Sequence, residues 1–142
     1  MKSEREQMDI QTVVETSLYG DDLVEMERFY TKVLGLHLVT KDPHRHVFLR
    51  VGAATMLLIF KADATLAHGD FPSHGTRGAG HTALGICADQ LDAWRNRLAE
   101  NQVEIELEKT WPLGGHSLYF RDPAGNSVEL ITPGVWGTPA GW

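Results

Sequence analysis

The chain has 142 residues, 42% of them apolar and 23% charged, which is the composition of one globular domain and excludes disordered, collagenous and coiled-coil classes. Thirteen Lys and Arg against 19 Asp and Glu give a formal charge of -6, with no basic cluster along the chain, which argues against a nucleic-acid partner. No apolar run approaches the roughly 18 residues of a membrane span, and Met1 to Gln7 is charged where a secretion signal needs an apolar core; a cytoplasmic chain with no membrane partner is expected.

Thr12 to Tyr19 reads as a strand. Leu23, Met26, Phe29, Tyr30, Val33 and Leu34 then recur at three- and four-residue spacing, which predicts a helix over 22–34. Asp22 with Glu25 resembles a capping box, and Gly35 sits where the helix ends. Leu36 to Thr40, His46 to Val51 and Thr55 to Phe60 follow as strands, punctuated by Asp42-Pro43 and Gly52. The stretch from Lys61 to Gly80 is rich in Gly, His and Pro and too long for a plain connection; loops of this kind are disordered or functional.

Thr82 to Cys87 resumes the strand pattern. Cys87, the only cysteine, excludes an internal disulfide or a thiolate metal cage within one chain and reads as a small buried residue. Leu91, Trp94 and Leu98 predict a helix from Asp89 to about Asn101. Val103, Ile105 and Leu107 alternate with Glu104, Glu106 and Glu108, a strand with one wet face. Ser117 to Arg121 and Ser127 to Thr132 are strands joined by the turn Asp122-Pro123-Ala124-Gly125. The tail from Gly134 to Trp142 is irregular and is expected to lie across a partner subunit or the mouth of a pocket.

Each half thus reads strand, helix, three strands, which is an internal repeat. Residues 15–18 overlay 81–84, His46 overlays His116, and Leu57-Leu58-Ile59 overlays Val128-Glu129-Leu130. The expectation is one α+β domain spanning 1–142: a module at about 11–62, a linking loop at 63–79, a second module at about 80–133, and a tail at 134–142.

Alternate strand residues face opposite sides of a sheet. In the second half Leu84, Ile86, Leu118, Phe120, Val128 and Leu130 form the helix side, leaving His81, Ala83, Ser117, Tyr119, Arg121, Ser127, Glu129 and Ile131 opposite. In the first strand Glu15, Ser17 and Tyr19 take that opposite face. Its counterpart in the rest of the first half is read as an apolar wall of Val47, Leu49, Val51, Met56, Leu58 and Phe60, suited to a small organic molecule; Arg50 then falls on the helix side without explanation. Glu15, His81 and Glu129 share one face and suit a first-row divalent ion with open positions for water or substrate. Leu58, at the fourth symmetric position, cannot ligate. His74, in the long loop before His81, is a further candidate for the pocket, as are Tyr119 and Arg121.

At these residues the sequence resembles the vicinal oxygen chelate superfamily, the group of glyoxalases, bleomycin-resistance proteins and dioxygenases. The resemblance rests on Glu-Thr-Ser-Leu-Tyr-Gly-Asp-Asp-Leu at 15–23, Arg-Phe-Tyr-Thr-Lys-Val-Leu-Gly-Leu at 28–36, Gly-His-Thr-Ala-Leu at 80–84 and Leu-Tyr-Phe-Arg-Asp-Pro-Ala-Gly-Asn-Ser-Val-Glu-Leu at 118–130. It implies paired βαβββ modules forming an open barrel around a divalent metal, usually in a homodimer, with metal positions at Glu15, His81 and Glu129. Two departures stand out: Glu15 replaces a more usual His, and the ligand that glyoxalase I carries in the first module's last strand falls near Leu58.

Three functions follow. The first is a lyase, isomerase or transferase in which Mn, Zn, Ni or Fe binds two neighbouring oxygens of a small substrate while Glu15 or Glu129 serves as base. The second is extradiol-type cleavage of a catechol with Fe(II) or Mn(II). The third is metal-free binding of an antibiotic or aromatic compound, as bleomycin-resistance proteins do, with Trp111 and Trp136 as stacking groups.

Overall fold

The computed structural model describes residues 8–142; the charged start, Met1 to Gln7, lies outside them. The first half runs β1 (Glu15–Tyr19), α1 (Leu23–Arg28) continued by a π-helical turn (Phe29–Val33), β2 (His37–Asp42), β3 (His46–Val51) and β4 (Thr55–Phe60). The short α2 (Ala62–Leu66) opens the long connection. The second half runs β5 (His81–Gly85), a 3₁₀ turn (Ala88–Gln90), α3 (Leu91–Glu100), β6 (Leu107–Thr110), β7 (His116–Arg121) and β8 (Ser127–Ile131). Two four-stranded mixed sheets result, in the orders β1-β4-β3-β2 and β5-β8-β7-β6. In each, the first strand pairs parallel with the last and the remaining pairs are antiparallel. No helix among the described residues is long and apolar enough to cross a membrane.

Local chemistry explains the expected elements. The Asp22 carboxylate accepts from the Glu25 amide at 3.1 Å, capping α1. Gly35, at φ +76°, lets the chain leave the helix, and the Leu36 amide turns back to the Tyr30 carbonyl at 2.9 Å. One strand is displaced: Val103 and Ile105 lie partly buried against the core, but ladder pairing starts only at Leu107, which is itself exposed. Cys87 is exposed rather than buried, because it sits past the end of β5 where the chain turns into the 3₁₀ segment.

Both sheets pack against one core. Leu18, Val47, Leu49, Leu57 and Ile59 enter it from the first sheet, Leu84, Leu118, Phe120, Val128 and Leu130 from the second, with Met26, Phe29, Tyr30 and Leu98 from the helices between them. This reverses the parity read for β3. Val47 pairs with Ile59 and Leu49 with Leu57, so Val47, Leu49 and Val51 serve the core and not the opposite wall. His46, Phe48 and Arg50 take that wall instead, opposite Phe60, Leu58 and Met56, and the misfit of Arg50 disappears.

A polar clamp joins the halves. The buried Asp122 accepts from the Tyr30 hydroxyl at 2.7 Å, the Asn126 side chain at 2.8 Å, and the amides of Ala124 at 2.9 Å and Asn126 at 3.0 Å. Asn126 in turn accepts from the Gly80 amide at 2.7 Å and donates to the Tyr19 carbonyl at 3.2 Å. Burial, followed by the Asp122 charge and hydrogen bond, raises the Tyr30 phenol well above its ordinary value, so it stays a donor. Asp122→Ala orphans four donors at once, and hydrogen bonds to charged groups are each worth roughly 1.5–3 kcal/mol. A loss of at least ~3 kcal/mol of unfolding free energy is expected in urea titrations, with Tyr30→Phe costing less because it removes one donor and strands none.

Candidate functional site

The faces turned away from the core carry the unusual side chains. On the second sheet β5 and β8 set His81 beside Ser127, Ala83 beside Glu129 and Gly85 beside Ile131, while β7 sets Tyr119 beside Glu129. Glu129 is buried, yet it points away from the apolar core and therefore needs partners. The Ser117 hydroxyl donates to Glu129 Oε2, and Ser117 itself accepts from the Trp111 indole N–H at 2.8 Å. Glu129 Oε1 faces His81 Nε2 at 3.3 Å.

The other imidazole nitrogen, His81 Nδ1, lies 3.0 Å from the Ser127 carbonyl. A carbonyl only accepts, so Nδ1 carries a proton and Nε2 is the nitrogen turned toward Glu129. A charge-assisted N–H to carboxylate bond would be shorter, about 2.7–2.9 Å. Two ligands about 2.1 Å from one first-row ion stand roughly 3.0 Å apart at a right angle and about 3.4 Å apart at a tetrahedral angle. The observed 3.3 Å fits that donor set.

Glu15 stands elsewhere. It is exposed at the start of β1, on the outward face of the first sheet, in a row with Met56 and Arg50. Among the described residues no three His, Cys, Asp or Glu side chains converge as a metal-holding group. The structure therefore brings together His81 and Glu129 but leaves Glu15 apart within one chain.

The remaining candidates divide between the two faces. The Tyr119 ring stacks near His81 with centroids 6.3 Å apart. Arg121 is held at the rim by Glu106 at 2.9 Å and the Gly125 carbonyl at 3.1 Å. On the first sheet Leu58 and Phe60 are buried although they face outward, because an aromatic cluster covers that end. His46 stacks on Phe48 at 3.9 Å, and His74 stands edge-on to Phe60 at 5.0 Å while meeting the Tyr19 hydroxyl at 2.5 Å. Burial, then the adjacent Arg45 guanidinium, lowers His46. Trp136 is exposed, whereas Trp111 is tied to Ser117. Ser117 is the residue the sequence left without a role, although it shared the ligand parity; Trp111, expected as a stacking group, instead donates its indole N–H to Ser117.

An α+β protein of two βαβββ modules, each with one outward face and one of them carrying a paired imidazole and carboxylate, is the class that fold and site define. The chain belongs to the Glyoxalase/Bleomycin resistance protein/Dioxygenase superfamily, whose model matches residues 12–130. Among solved structures it is similar to lactoylglutathione lyase from Agrobacterium tumefaciens, with 37% identity, a TM-score of 0.86, and 91% of this chain and 98% of that one covered. A glyoxalase/bleomycin resistance protein/dioxygenase from Nocardioides shares the fold at 20% identity and a TM-score of 0.71, over 93% of this chain and 89% of that one. A glyoxalase/dioxygenase from Nostoc punctiforme does so at 22% identity and 0.68, over 93% and 97%. No curated protein matches the chain significantly.

Burial first, and then the hydrogen bond and charge of Glu129, raise the Tyr119 phenol above its ordinary value. Because folding raises it, its contribution to stability is complete below the pKa of an unfolded tyrosine and is lost as pH climbs through the folded value. Glu129→Gln removes the charge, so ultraviolet titration, with Tyr119→Phe identifying the signal, should show this phenol ionising at lower pH than in wild type. An unchanged curve would mean that burial alone sets it.

Proposed function

We propose that the chain is a divalent-metal-dependent lyase or isomerase of glyoxalase type, working as a cytoplasmic homodimer on a small substrate that presents two neighbouring oxygens. The single observation that carries this reading is the His81–Glu129 pair, with its tautomer set by Ser127 and its carboxylate held by Ser117. His81 Nε2 and Glu129 Oε1 would hold the ion together with Glu15 of a second copy. Both sheets turn their outward faces away from one shared core, so a second chain is the route by which a Glu15 can reach this pair. The exposed Val13 and Val14, and a hollow of about 260 Å³ between the edges of β1 and β5, offer the surface for it.

When bound, the ion supplies Lewis-acid polarisation of a substrate carbonyl. The chain does the rest. Glu129 stays fixed, because its Oε2 is engaged by Ser117 and the Trp111 indole fixes Ser117 in turn. Glu15 has no such anchor and is the carboxylate that accepts the proton from carbon beside the carbonyl and returns it to the neighbouring carbon. Leu58 stands where a fourth, acidic ligand would sit, so this proton work falls to Glu15 alone. The similarity to a lactoylglutathione lyase makes the hemithioacetal of methylglyoxal and glutathione the first substrate to try.

Titration calorimetry should show one Zn(II) or Mn(II) per chain, with affinity reduced about 10–100-fold or more in His81→Ala and Glu129→Gln. Glu15→Gln should weaken metal binding less than Glu129→Gln, because Glu15 lacks the Ser117 anchor that pre-positions Glu129, and should lose turnover. Mixing Glu15→Gln chains with His81→Ala chains should restore activity, because a mixed dimer rebuilds one intact site. Full metal retention in Glu129→Gln sinks the assignment, as does ligand binding that a chelator leaves untouched; the latter marks a metal-free binding protein.

A further inference from the structure

We propose that Trp142 is a specificity-determining residue that bounds, at its Gly85 end, the outward sheet face carrying His81 and Glu129, limiting how long a tail can run in that direction from the chelating oxygens. The tail does not wander from the sheet. The Trp142 indole N–H donates to the Ile131 carbonyl at 2.8 Å, and the Trp136 amide donates to the Trp142 carbonyl at 2.9 Å. A turn in which the Gly141 amide reaches the Thr138 carbonyl at 3.3 Å brings the chain back.

The indole lands on Gly85. A Cβ at that position would lie 2.2 Å from Trp142 Cζ2 and 2.4 Å from Cε2, so the two residues are a fitted pair: the ring needs the missing side chain. Gly85 shares the outward parity of His81 and Ala83, and it pairs with Ile131 just as Ala83 pairs with Glu129. Trp142 therefore sits on the ligand-bearing face, two residues along β8 from Glu129, a distance of about 7 Å by strand rise. Ile131 is buried despite facing outward, and the Trp111 indole covers the neighbouring Ser117. Two indoles thus wall off the Gly85, Ile131 and Ser117 end, while the His81 end stays open, with half of that side chain exposed. Toward Ile131, about 7 Å of strand leaves room for only a few carbon atoms beyond an ion-bound oxygen.

The inference rests on the metal reading above, and its test separates the two. The probes are acetohydroxamic and octanohydroxamic acids, which offer the same pair of neighbouring oxygens and differ in tail length. With the Zn(II)-loaded full-length protein, calorimetry should show wild type favouring the short probe, and Trp142→Ala shifting the ratio of dissociation constants at least about tenfold toward the long one. In melts without metal, Gly85→Ala should lower the melting temperature of wild type and leave Trp142→Ala nearly unchanged, since the clash needs the ring. An unchanged probe ratio, or a Gly85→Ala penalty that persists without the indole, overturns the proposal while metal uptake stands. Failure of wild type to take up Zn(II) overturns the metal reading, and this inference with it.

Discussion

Two sheets that bury their helix-bearing faces in one core must turn their other faces outward, and everything that bears on function follows from that division. The strands that enter the core give it one parity: Leu18 from β1, Leu57 and Ile59 from β4, Val128 and Leu130 from β8. The intervening residues lie outside that shared core, and it is among these that Glu15, His81 and Glu129 stand. Hydrophobic burial, which scales with apolar area removed from water, holds the scaffold. The outward faces can carry charge without weakening it.

The two buried carboxylates show what separates a structural acid from a ligand. Asp122 receives four donors from its own chain, two on each oxygen, and has nothing left to offer. Its work is to tie the end of β1, the helix and the start of β5 to one turn. Glu129 is tied at Oε2 by Ser117 and turns Oε1 toward an imidazole whose other nitrogen is already committed. An isolated buried carboxylate costs several kcal/mol in lost hydration. Glu129 thus keeps an acceptor available where Asp122 has none, which is why the His81–Glu129 pair and not Asp122 is the candidate site.

Much of this was legible in the sequence, for reasons that particular residues make clear. The repeat, the helix over 22–34 and the common parity of His81 and Glu129 follow from spacing, because strands have period two and helices period 3.6. The parity of β3 did not. Val47, Leu49 and Val51 and the alternate set His46, Phe48 and Arg50 both contain apolar members, and spacing separates two faces without saying which one is buried. Arg50 carried the missing information: a guanidinium that has no place against the helices points to the opposite choice. The Ser117–Trp111 support and the return of Trp142 onto Gly85 depend on contacts across loops, which no local period encodes.

The asymmetry between the repeats explains why the proposed centre has three protein ligands and not four. Glu15 and His81 occupy equivalent places in their modules, and so do Leu58 and Glu129. In the proposed centre the second module supplies ligands from both of its positions, His81 and Glu129, whose side chains meet the Ser127 carbonyl and the Ser117 hydroxyl. The first holds one, while Leu58 joins Phe48, Phe60 and His46 in an aromatic and aliphatic surface. Duplication alone would place four polar groups around a composite site; losing one to Leu58 removes a proton carrier and adds an apolar contact. If two chains close on each other, an apolar face from one meets an ion-binding face from its partner. Such a site sets an apolar contact beside the chelating end of the substrate, and Trp142 sets how far a tail can run past Glu129 toward Gly85.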